Sequence, residues 1–371
     1  MLLVGVRLPR QSAAETEEHL AELTLLTDTA GGRVIGSVTQ ERARFDPAYL
    51  VGKGKAGQIA EQVRRDNIQT IIFDDELSPA QIRNLEEVTG AKVLDRGAVI
   101  LDIFARRART REARTQVELA QLEYLLPRLT RRWTHLSRQA GGTIGLRGVG
   151  ETQLELDRRL IRRRISGLKL ELAKVERARR ERRRGRDGIL KAALIGYTNA
   201  GKSTLFNKLC GGEDAFVENR LFATLDPLVR RCRTSEGECL VIDTVGFIRK
   251  LPHHLVASFR STLEEAVVAD LLLHVVDVSH PEYEEQMTVT RAVLKELGLA
   301  DRLALTVFNK IDAVPERMIE QAATLHPDAL CVSARTGEGV ASIRDAMASE
   351  VRRHAAGPRG TRPDAEREAA R

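Results

Sequence analysis

One glycine-rich stretch near the middle of the chain has the residue types and spacing to bind phosphate. Residues 196–204 read GYTNAGKST and follow the apolar run AALI, so a buried strand is predicted to lead into this loop and a helix to leave it. In the pattern G-x-x-x-x-G-K-[ST], backbone N–H groups surround the phosphates at the start of a helix. Lys202 is expected to reach the β- and γ-phosphates, and the Ser203 hydroxyl to ligate Mg²⁺. Glycines at 196 and 201 are expected to let the backbone approach closely, but the loop alone does not distinguish ATP from GTP.

A second segment indicates which base is bound. The strand-like run LALTVFNKID (303–312) ends in N-K-x-D. The Asp312 carboxylate can accept hydrogen bonds from N1–H and the 2-amino group of guanine, whereas adenine has no donors there and would leave the charge unpaired. Asn309 is expected to bridge the loops and contact the base edge, and the Lys310 stem to pack on the face of the base.

A third segment, CVSARTGEG (331–339), supplies the complementary contact. The Ser333 side chain and the Ala334 N–H are expected to receive the guanine carbonyl, with Arg335 beside them. Because this segment and N-K-x-D occur in this order, each at the end of a predicted strand, they predict that GTP is bound and not ATP.

The run CLVIDTVGF (239–247), called here the second switch segment, indicates hydrolysis. Asp243 is placed to hold Mg²⁺ through water, and the Gly246 N–H to contact the γ-phosphate. Phe247 follows at the position where Ras-like GTPases carry a glutamine that orients the attacking water. Since phenylalanine offers no side-chain hydrogen bond, we expect slow intrinsic hydrolysis and acceleration by a partner that orders the switches.

Upstream, the run NRLFATLDP (219–227), called here the first switch segment, contains a candidate metal ligand. The Thr224 hydroxyl is expected to ligate Mg²⁺ and its N–H to touch the γ-phosphate; an ordinary loop threonine is the alternative. Loss of the γ-phosphate would release both switch segments. Asn199, within the phosphate loop, is hypothesised to help hold a K⁺ near the β- and γ-phosphates.

These predictions define one nucleotide site with Mg²⁺ and a hypothesised K⁺. The predicted catalytic residues are Lys202, Thr224 and Gly246. The predicted nucleotide contacts are Gly196, Tyr197, Thr198, Asn199, Ala200, Gly201, Lys202, Ser203, Thr204, Phe222, Ala223, Thr224, Asp243, Gly246, Asn309, Lys310, Asp312, Ser333, Ala334 and Arg335. The predicted metal ligands are Ser203, Thr224 and, through water, Asp243 for Mg²⁺, and Asn199 for K⁺.

The elements around this site suggest an α/β protein in four parts. Alternating strand-like and helix-like runs predict a small N-terminal α/β domain over residues 1–105, with a strand at RVIGSV (33–38) and a helix that starts at Ser78 and stops at Gly90. A basic helical hairpin is predicted over 106–186, a Ras-like P-loop GTPase domain with a mostly parallel sheet over 187–353, and a disordered tail over 354–371.

Apolar spacing in the middle part favours two antiparallel helices. Leu119, Leu122, Leu126 and Leu129 recur every three or four residues, as do Ile161, Ile165, Leu168, Leu172 and Val175. Both series form a seam of the coiled-coil type. Between them, GGTIGLRGVG (141–150) contains too many glycines for a helix and is predicted to be the hairpin tip.

Charge is concentrated in this hairpin. Residues 101–190 contain 24 Lys and Arg against 11 Asp and Glu, a net charge of +13, whereas the whole chain has a net charge of +7. Clustered Lys and Arg that neutralise phosphates release condensed counterions, so this segment is expected to face RNA.

Other features argue against several protein classes. No apolar run is long enough to cross a bilayer, and MLLVGVRLPR lacks the pattern of a secretory signal. The four cysteines contain no C-x-x-C pair and match no zinc-ligand spacing, which is typical of reduced thiols in a cytosolic protein. We expect a cytoplasmic monomer, with peripheral membrane association left open.

The motifs together resemble the HflX branch of translation-associated GTPases. GYTNAGKST, FATLDP, DTVGF and NKID carry the resemblance in the predicted GTPase domain. Outside it, GLRGVGETQLELDRRLIRRRI (145–165), DPAYLVGKGKAGQI (46–59) and QVELAQLEYLLPRLT (116–130) are similar to the same family. The chain departs from the family at Val149, where proline is usual, so the junction is expected to be less rigid here.

The resemblance implies a GTP-dependent factor that binds the large ribosomal subunit and its rRNA. Members of the family separate stalled or idle ribosomes, especially under stress, and some act in ribosome assembly or hibernation. The candidate rRNA contacts in this chain are Arg138, Arg147, Arg158, Arg159, Arg162, Arg163 and Arg164. A solvated basic helix face is the alternative.

Other functions remain open from the sequence alone. A ribosome assembly or hibernation factor would use nucleotide only as an RNA-affinity switch. A tRNA-modification GTPase would normally carry a modification domain, for which we find no residues. VGKGK (51–55) could hold a phosphate of a second nucleotide and is the only support for an ATP-driven RNA remodeller, but a turn with two exposed lysines is favoured.

Overall fold

The computed structural model describes residues 1–129, 153–184, 188–212, 221–222, 224–250, 268–299, 302 and 304–356. The chain forms two compact units. The first comprises Met1–Glu181 and two later segments, Glu218–Asp226 and Ile248–Leu263. The second comprises Arg182–Val217, Pro227–Phe247 and Glu264–Arg371. The first switch segment up to Asp226, and the residues that follow the second switch segment, therefore belong to the first unit.

The first unit is built on a small parallel sheet. Its elements are β1 (Leu2–Arg7), α1 (Ala13–Thr29), β2 (Gly36–Glu41), α2 (Lys53–Arg65), β3 (Thr70–Phe73), α3 (Pro79–Thr89), β4 (Lys92–Asp95), α4 (Arg96–Arg107), α5 (Arg111–Leu125), a 3₁₀ turn (Leu126–Arg128) and α6 (Gln153–Arg184). The strand order is β2-β1-β3-β4, and every pairing is parallel. Apolar residues of β1 and β3 are almost fully buried beneath the helices.

Side-chain caps mark the starts of α1, α3, α4 and α5 in this unit. Ser78 caps α3, and Gln81 returns a hydrogen bond to the Ser78 backbone, which completes a capping box. Gly90 ends the helix with φ of 70°, a conformation that glycine adopts without strain. The predicted start and stop of this helix are confirmed. The strand predicted at 33–38 is shifted, because its pairing with β1 begins at Gly36 opposite Leu2.

Helices α5 and α6 form the predicted antiparallel pair. Leu119, Ile165 and Leu168 are buried between them, and Leu122, Leu126, Ile161 and Leu172 pack around this core. Arg111, at the start of α5, pairs with Glu171 late in α6, whereas Arg158, early in α6, donates to the Leu129 carbonyl after α5. The predicted hairpin tip at 141–150 lies outside the described residues.

The second unit is a six-stranded, mostly parallel α/β sheet. Its elements are β5 (Lys191–Ile195), α7 (Lys202–Cys210), β6 (Leu228–Thr234), β7 (Gly237–Asp243), β8 (Leu271–Asp277), α8 (Tyr283–Glu296), β9 (Ala304–Asn309), a 3₁₀ turn (Ile311–Ala313), α9 (Glu316–Leu325), β10 (Leu330–Cys331) and α10 (Val340–Ala356). The order is β10-β9-β8-β5-β7-β6, with only β6 antiparallel to its neighbour. The predicted α/β class, with an N-terminal α/β domain, a helical hairpin and a P-loop GTPase domain, is confirmed.

Two further predictions concern the C-terminal end of the GTPase domain and membrane-spanning helices. Helix α10 continues to Ala356, three residues past the predicted end of the domain, and residues 357–371 lie outside the described part of the chain. Within the described residues, no helix has the length and apolar character needed to cross a membrane.

Candidate nucleotide-binding site

The phosphate loop lies at the carboxyl end of β5, where the parallel strands deliver their polar residues to one edge of the sheet. Gly196 has φ of 144° and Gly201 has φ of 89°. A Cβ on Gly196 would lie 2.1 Å from the Val275 carbonyl oxygen, and one on Gly201 would lie 2.2 Å from Nδ2 of Asn309. Packing against Val275 and Asn309, and not only the approach of phosphate, therefore requires glycine at both positions.

Lys202 lies across the loop that precedes it. Its ammonium group donates to the carbonyl oxygens of Tyr197 at 2.8 Å and Gly196 at 3.2 Å. Burial lowers the pKa of Lys202 to about 8, although the nearby Asp243 carboxylate opposes this shift. The charge is thus desolvated and held where a phosphate would meet it.

Ser203 and Asp243 form the oxygen donor set expected of a magnesium site. The Ser203 hydroxyl donates to Oδ2 of Asp243 at 2.6 Å, and the carboxylate is fully buried at the end of β7. Thr244 fixes this strand end, because its hydroxyl donates to the Leu194 carbonyl at 2.6 Å. Hydroxyl and carboxylate oxygens suit Mg²⁺, so these residues fit the ion. Thr224 belongs to the segment that packs with the first unit.

The second switch segment is hydrogen-bonded directly to the phosphate loop through its backbone. The Phe247 N–H donates to the Gly196 carbonyl at 3.0 Å, and the Thr198 N–H donates to the Phe247 carbonyl at 2.7 Å. Gly246 lies so close that a Cβ would be 2.6 Å from Thr198 Cα and 2.9 Å from Lys202 Nζ. The Phe247 side chain is buried.

Asn309 connects the base-recognition loop to the phosphate loop. Its Nδ2 donates to the Ala200 carbonyl at 2.8 Å, and its Oδ1 accepts from the Ala334 N–H at 2.9 Å. This buried side chain therefore holds three loops together at one edge of the sheet.

The Asp312 carboxylate is oriented by its neighbours. The Ser333 hydroxyl donates to Oδ1 at 2.6 Å, and Arg335 pairs with Oδ2 at 2.8 Å. The Ser333 hydrogen bond, followed by the Arg335 charge, lowers the pKa of Asp312. Ser333 thus orients the Asp312 carboxylate, and its contact with the guanine carbonyl stays a prediction.

Sequence reasoning missed one residue of this edge. Asp277 ends β8 and pairs with Lys310 at 2.6 Å through its Oδ2. Lys310 has φ of 67°, which side-chain-bearing residues rarely adopt, and the ion pair helps hold it there. A carboxylate at the end of the buried run LLLHVVD was the available signal, because the neighbouring parallel strand β9 also ends in a site residue, Asn309.

The remaining predicted residues are placed as follows. Asn199 is exposed with φ of 61°, and Phe222 is buried with φ of 56°. In α6, Arg159, Arg162, Arg163 and Arg164 are exposed, and Arg164 is paired with Glu118 through two hydrogen bonds. Ala223, Arg138, Arg147 and Val149 lie outside the described residues.

The stretch VGKGK forms the start of α2. Gly52 precedes α2, and Lys53, Gly54 and Lys55 form its first turn. The Gly52 N–H is occupied by Gln40 Oε1 at 2.8 Å. All four cysteines are free thiols, and no metal-binding group of three or more His, Cys, Asp and Glu occurs within the described ranges.

Comparisons with known proteins agree with this geometry. Family models match residues 17–105 as "GTP-binding GTPase N-terminal", 107–186 as "GTP-binding GTPase Middle Region" and 191–310 as "50S ribosome-binding GTPase". The chain is 49% identical to GTPase HflX of Flavobacterium psychrophilum over 319 residues, which cover 86% of this chain and 77% of that protein. It is 45% identical to GTPase HflX of Escherichia coli K12 over 342 residues, which cover 90% and 79% of the two chains.

Among solved structures, a GTP-binding protein from Sulfolobus solfataricus in complex with GDP is similar at 24% identity and a TM-score of 0.47. The match covers 95% of this chain and 99% of that one. The identities of 49% and 45% to the two HflX proteins show the family of this chain. The glycine loop, the paired Ser203 and Asp243 and the Asn309 bridge agree with it. The chain belongs to the HflX family of GTPases and is a GTP hydrolase.

Proposed function

We propose that this GTPase binds the large ribosomal subunit and uses its GTP switch to split or rescue stalled or idle ribosomes, in the cytoplasm and particularly under stress. The observation that carries the proposal is the position of charge on α6. Its apolar seam packs against α5, while Arg159, Arg162 and Arg163 face solvent on the other side. Exposed arginines on one helix face can neutralise several RNA phosphates at once.

Relatives support this assignment without reaching its detail. The family model over 191–310 is described as a ribosome-binding GTPase. The net charge of +13 in residues 101–190 complements the negative charge of rRNA phosphates.

The test is sedimentation with ribosomes in nucleotide-free, GDP and GTP-analogue states. The triple substitution Arg159→Glu, Arg162→Glu and Arg163→Glu is expected to abolish co-sedimentation, because it reverses three phosphate contacts. The matched control is Arg64→Glu, Arg65→Glu and Arg83→Glu, which makes the same charge change at exposed positions of α2 and α3. Equal loss in both variants would attribute binding to net charge, and unchanged binding of the α6 variant would contradict the proposal.

The buried Phe247 favours a second candidate function. Phe247 offers no side-chain hydrogen bond to orient water, and the slow hydrolysis expected from this suits a factor that uses nucleotide only as an affinity switch in ribosome assembly or hibernation. Splitting of purified ribosomes by the protein with a non-hydrolysable GTP analogue distinguishes the two functions. Persistent binding without any dissociation of subunits would favour the second.

The metal requirement belongs to the same proposal. Ser203 and Asp243, joined by Thr224, would hold Mg²⁺, and that ion supplies neutralisation of charge on the β- and γ-phosphates. Asn199 is exposed within the loop and would turn towards a K⁺. Equal GTPase rates in KCl and NaCl at one ionic strength would contradict the K⁺ site.

A further inference from the structure

The end of β8 carries a carboxylate that is not among the predicted nucleotide contacts. Asp277 is the last residue of β8, and its two side-chain oxygens have different partners. Oδ1 accepts hydrogen bonds from the Ser279 hydroxyl at 2.5 Å and from the Ser279 N–H at 3.1 Å. Oδ2 pairs with the Lys310 ammonium group at 2.6 Å. The carboxylate is therefore fixed on one side by its own loop and presents its other side to Lys310.

The ion pair between Asp277 and Lys310 is partly buried. Their side chains are 13% and 30% exposed, whereas the side chain of Arg335, which pairs with Asp312, is 80% exposed. Solvent and salt weaken an exposed pair more than a partly buried one. Lys310 is thus held more firmly than Arg335, and the contact of Arg335 with Asp312 is the more easily exchanged for a ligand.

Lys310 begins the turn that carries Asp312. Its φ of 67° and ψ of 32° lie in the left-handed region, which is costly for a residue with a side chain and persists where the surroundings enforce it. The Lys310 carbonyl accepts from the Ala313 N–H at 2.9 Å. The position of Asp312 within this turn therefore depends on the conformation of Lys310.

The two strand ends that carry this ion pair are joined through their backbones. Asp277 lies opposite Asn309 in the parallel pairing of β8 with β9. One residue further on, the Val278 N–H donates to the Asn309 carbonyl at 3.1 Å. Since Lys310 directly follows Asn309, the sheet itself sets the distance between Lys310 and Asp277.

The charge of Lys310 also acts on Asp312. The Ser333 hydrogen bond lowers the pKa of Asp312, and the charges of Arg335 and Lys310 lower it further. Without the Asp277 carboxylate, the Lys310 ammonium group would be attracted to the carboxylate two residues along the chain. There it would compete for the acceptor positions that guanine needs for its N1–H and its 2-amino group.

We propose that Asp277 is a positioning residue for guanine recognition. It holds the Lys310 ammonium group away from Asp312 and stabilises the left-handed turn that presents the Asp312 carboxylate to the base. All of these residues belong to the second unit. The inference rests on recognition of guanine by Asp312 and not on ribosome binding.

The experiment compares the binding of GDP and of IDP, each with Mg²⁺, by calorimetry in the full chain. IDP lacks the 2-amino group, so the ratio of the two affinities reports the hydrogen bond from that group to Asp312. Asp277→Asn is expected to weaken GDP binding about tenfold and to lower the ratio about threefold or more. Asp345→Asn, at an exposed position of the same unit, is the matched control and should change neither quantity.

Two further variants separate positioning from general damage to the site. Lys310→Met keeps the apolar stem without the ammonium group. Introduced into Asp277→Asn, it is expected to restore most of the ratio, because the competing charge is gone. Ser279→Ala removes the hydroxyl that fixes Oδ1 of Asp277 and is expected to lower the ratio by a smaller factor. It decides the question if Asp277→Asn does not fold.

Three outcomes would overturn the inference. An equal loss of GDP and IDP affinity in Asp277→Asn would indicate general damage, and a ratio that Lys310→Met failed to restore would exclude competition by its charge. Unchanged affinities in both Asp277→Asn and Ser279→Ala would show that the ion pair has no part in binding. Each of these results is independent of whether the protein co-sediments with ribosomes. A parent chain that bound GDP and IDP equally would overturn the inference together with the assignment of Asp312 to the base.

Discussion

Both sheets of this protein carry polar residues at the carboxyl ends of their strands, but in one sheet these residues suit an anion and in the other they hold a cation. In the second unit, the carboxyl ends of the strands lead to a glycine loop and a buried lysine that suit an anion. In the first unit, β3 is followed by Asp74 and Asp75, and these side chains hold Lys250. Shared α/β geometry decides where a site can form, but the residues after each strand decide what is bound.

The largest effect is expected on the free energy of unfolding when Arg96 is removed from the first unit. Arg96→Met leaves Asp74 and Glu22 buried with one fewer counter-charge, so it is expected to lower the free energy of unfolding by about 3–5 kcal/mol. Urea denaturation followed by circular dichroism measures the change. Arg65→Met, at an exposed pair, should cost less than about 1 kcal/mol. If GDP affinity fell as much as stability, the separation of roles between the two sheets would be wrong.

The next largest effect is expected at Asp312 in the second unit. Asp312→Asn keeps the Ser333 hydrogen bond but removes the charge-assisted bonds to the base, so GTP affinity should fall roughly 10- to 100-fold. The new amide can donate to a 2-oxo group, and a xanthine nucleotide should therefore bind better than to the parent chain. Calorimetry with GDP and XDP tests both statements, with the exposed Asp345→Asn as control. Unchanged GDP affinity would remove the basis for assigning the base.

Lys202 makes the second site sensitive to pH. Burial lowers its pKa from 10.5 to about 8, so between about pH 8 and 10.5 the folded, nucleotide-free protein binds fewer protons than the unfolded chain. Stability therefore rises with pH across this window, while nucleotide binding, which needs the charged lysine, weakens by at most about tenfold per unit above pH 8. Calorimetry at pH 7, 8 and 9 should detect proton uptake on GDP binding.

A matched variant sharpens the pH test. Lys208→Gln alters an exposed lysine in the same helix and should leave the pH profile unchanged. Affinity that stayed constant from pH 7 to 9 in the parent chain would show that Lys202 remains charged throughout and that burial does not govern it.

The same contrast between the sheets explains what the sequence could predict. The phosphate loop, the Ser78 cap and the Gly90 stop depend on residues a few positions apart, so their geometry follows from local pattern. The apolar seam of α5 and α6 is likewise a short-period signal.

What the sequence could not predict depends on distant pairs. Arg249 meets Glu18 across 231 positions, and Lys250 meets Asp74 across 176, and no periodic signal joins such residues. The tight packing of Gly196 against Val275 was also invisible, because it depends on the register between β5 and β8. The hydrogen bond between Ser333 and Asp312 could likewise not be identified before the loops were assembled.

The smallest effect is expected at Asp226, which holds the end of the first switch segment against α5 in the first unit. Its carboxylate accepts from the Arg109 N–H at 3.1 Å and the Thr110 N–H at 3.3 Å, and the Thr110 hydroxyl also donates to it. Nearby, the Phe222 ring meets the Phe104 ring edge-on, with centroids 4.8 Å apart.

Asp226→Ala is expected to lower the free energy of unfolding by about 1 kcal/mol, as for loss of a helix N-cap, and to speed amide exchange in the first turn of α5. Asp226→Asn should retain part of the stabilisation because its side-chain oxygen still accepts. Asp66→Ala, at an exposed residue, is the control for loss of a surface carboxylate. Since α5 pairs with the basic α6, faster exchange confined to its first turn would show that the first switch segment supports the base of the hairpin. Unchanged exchange in both Asp226 variants would contradict this support.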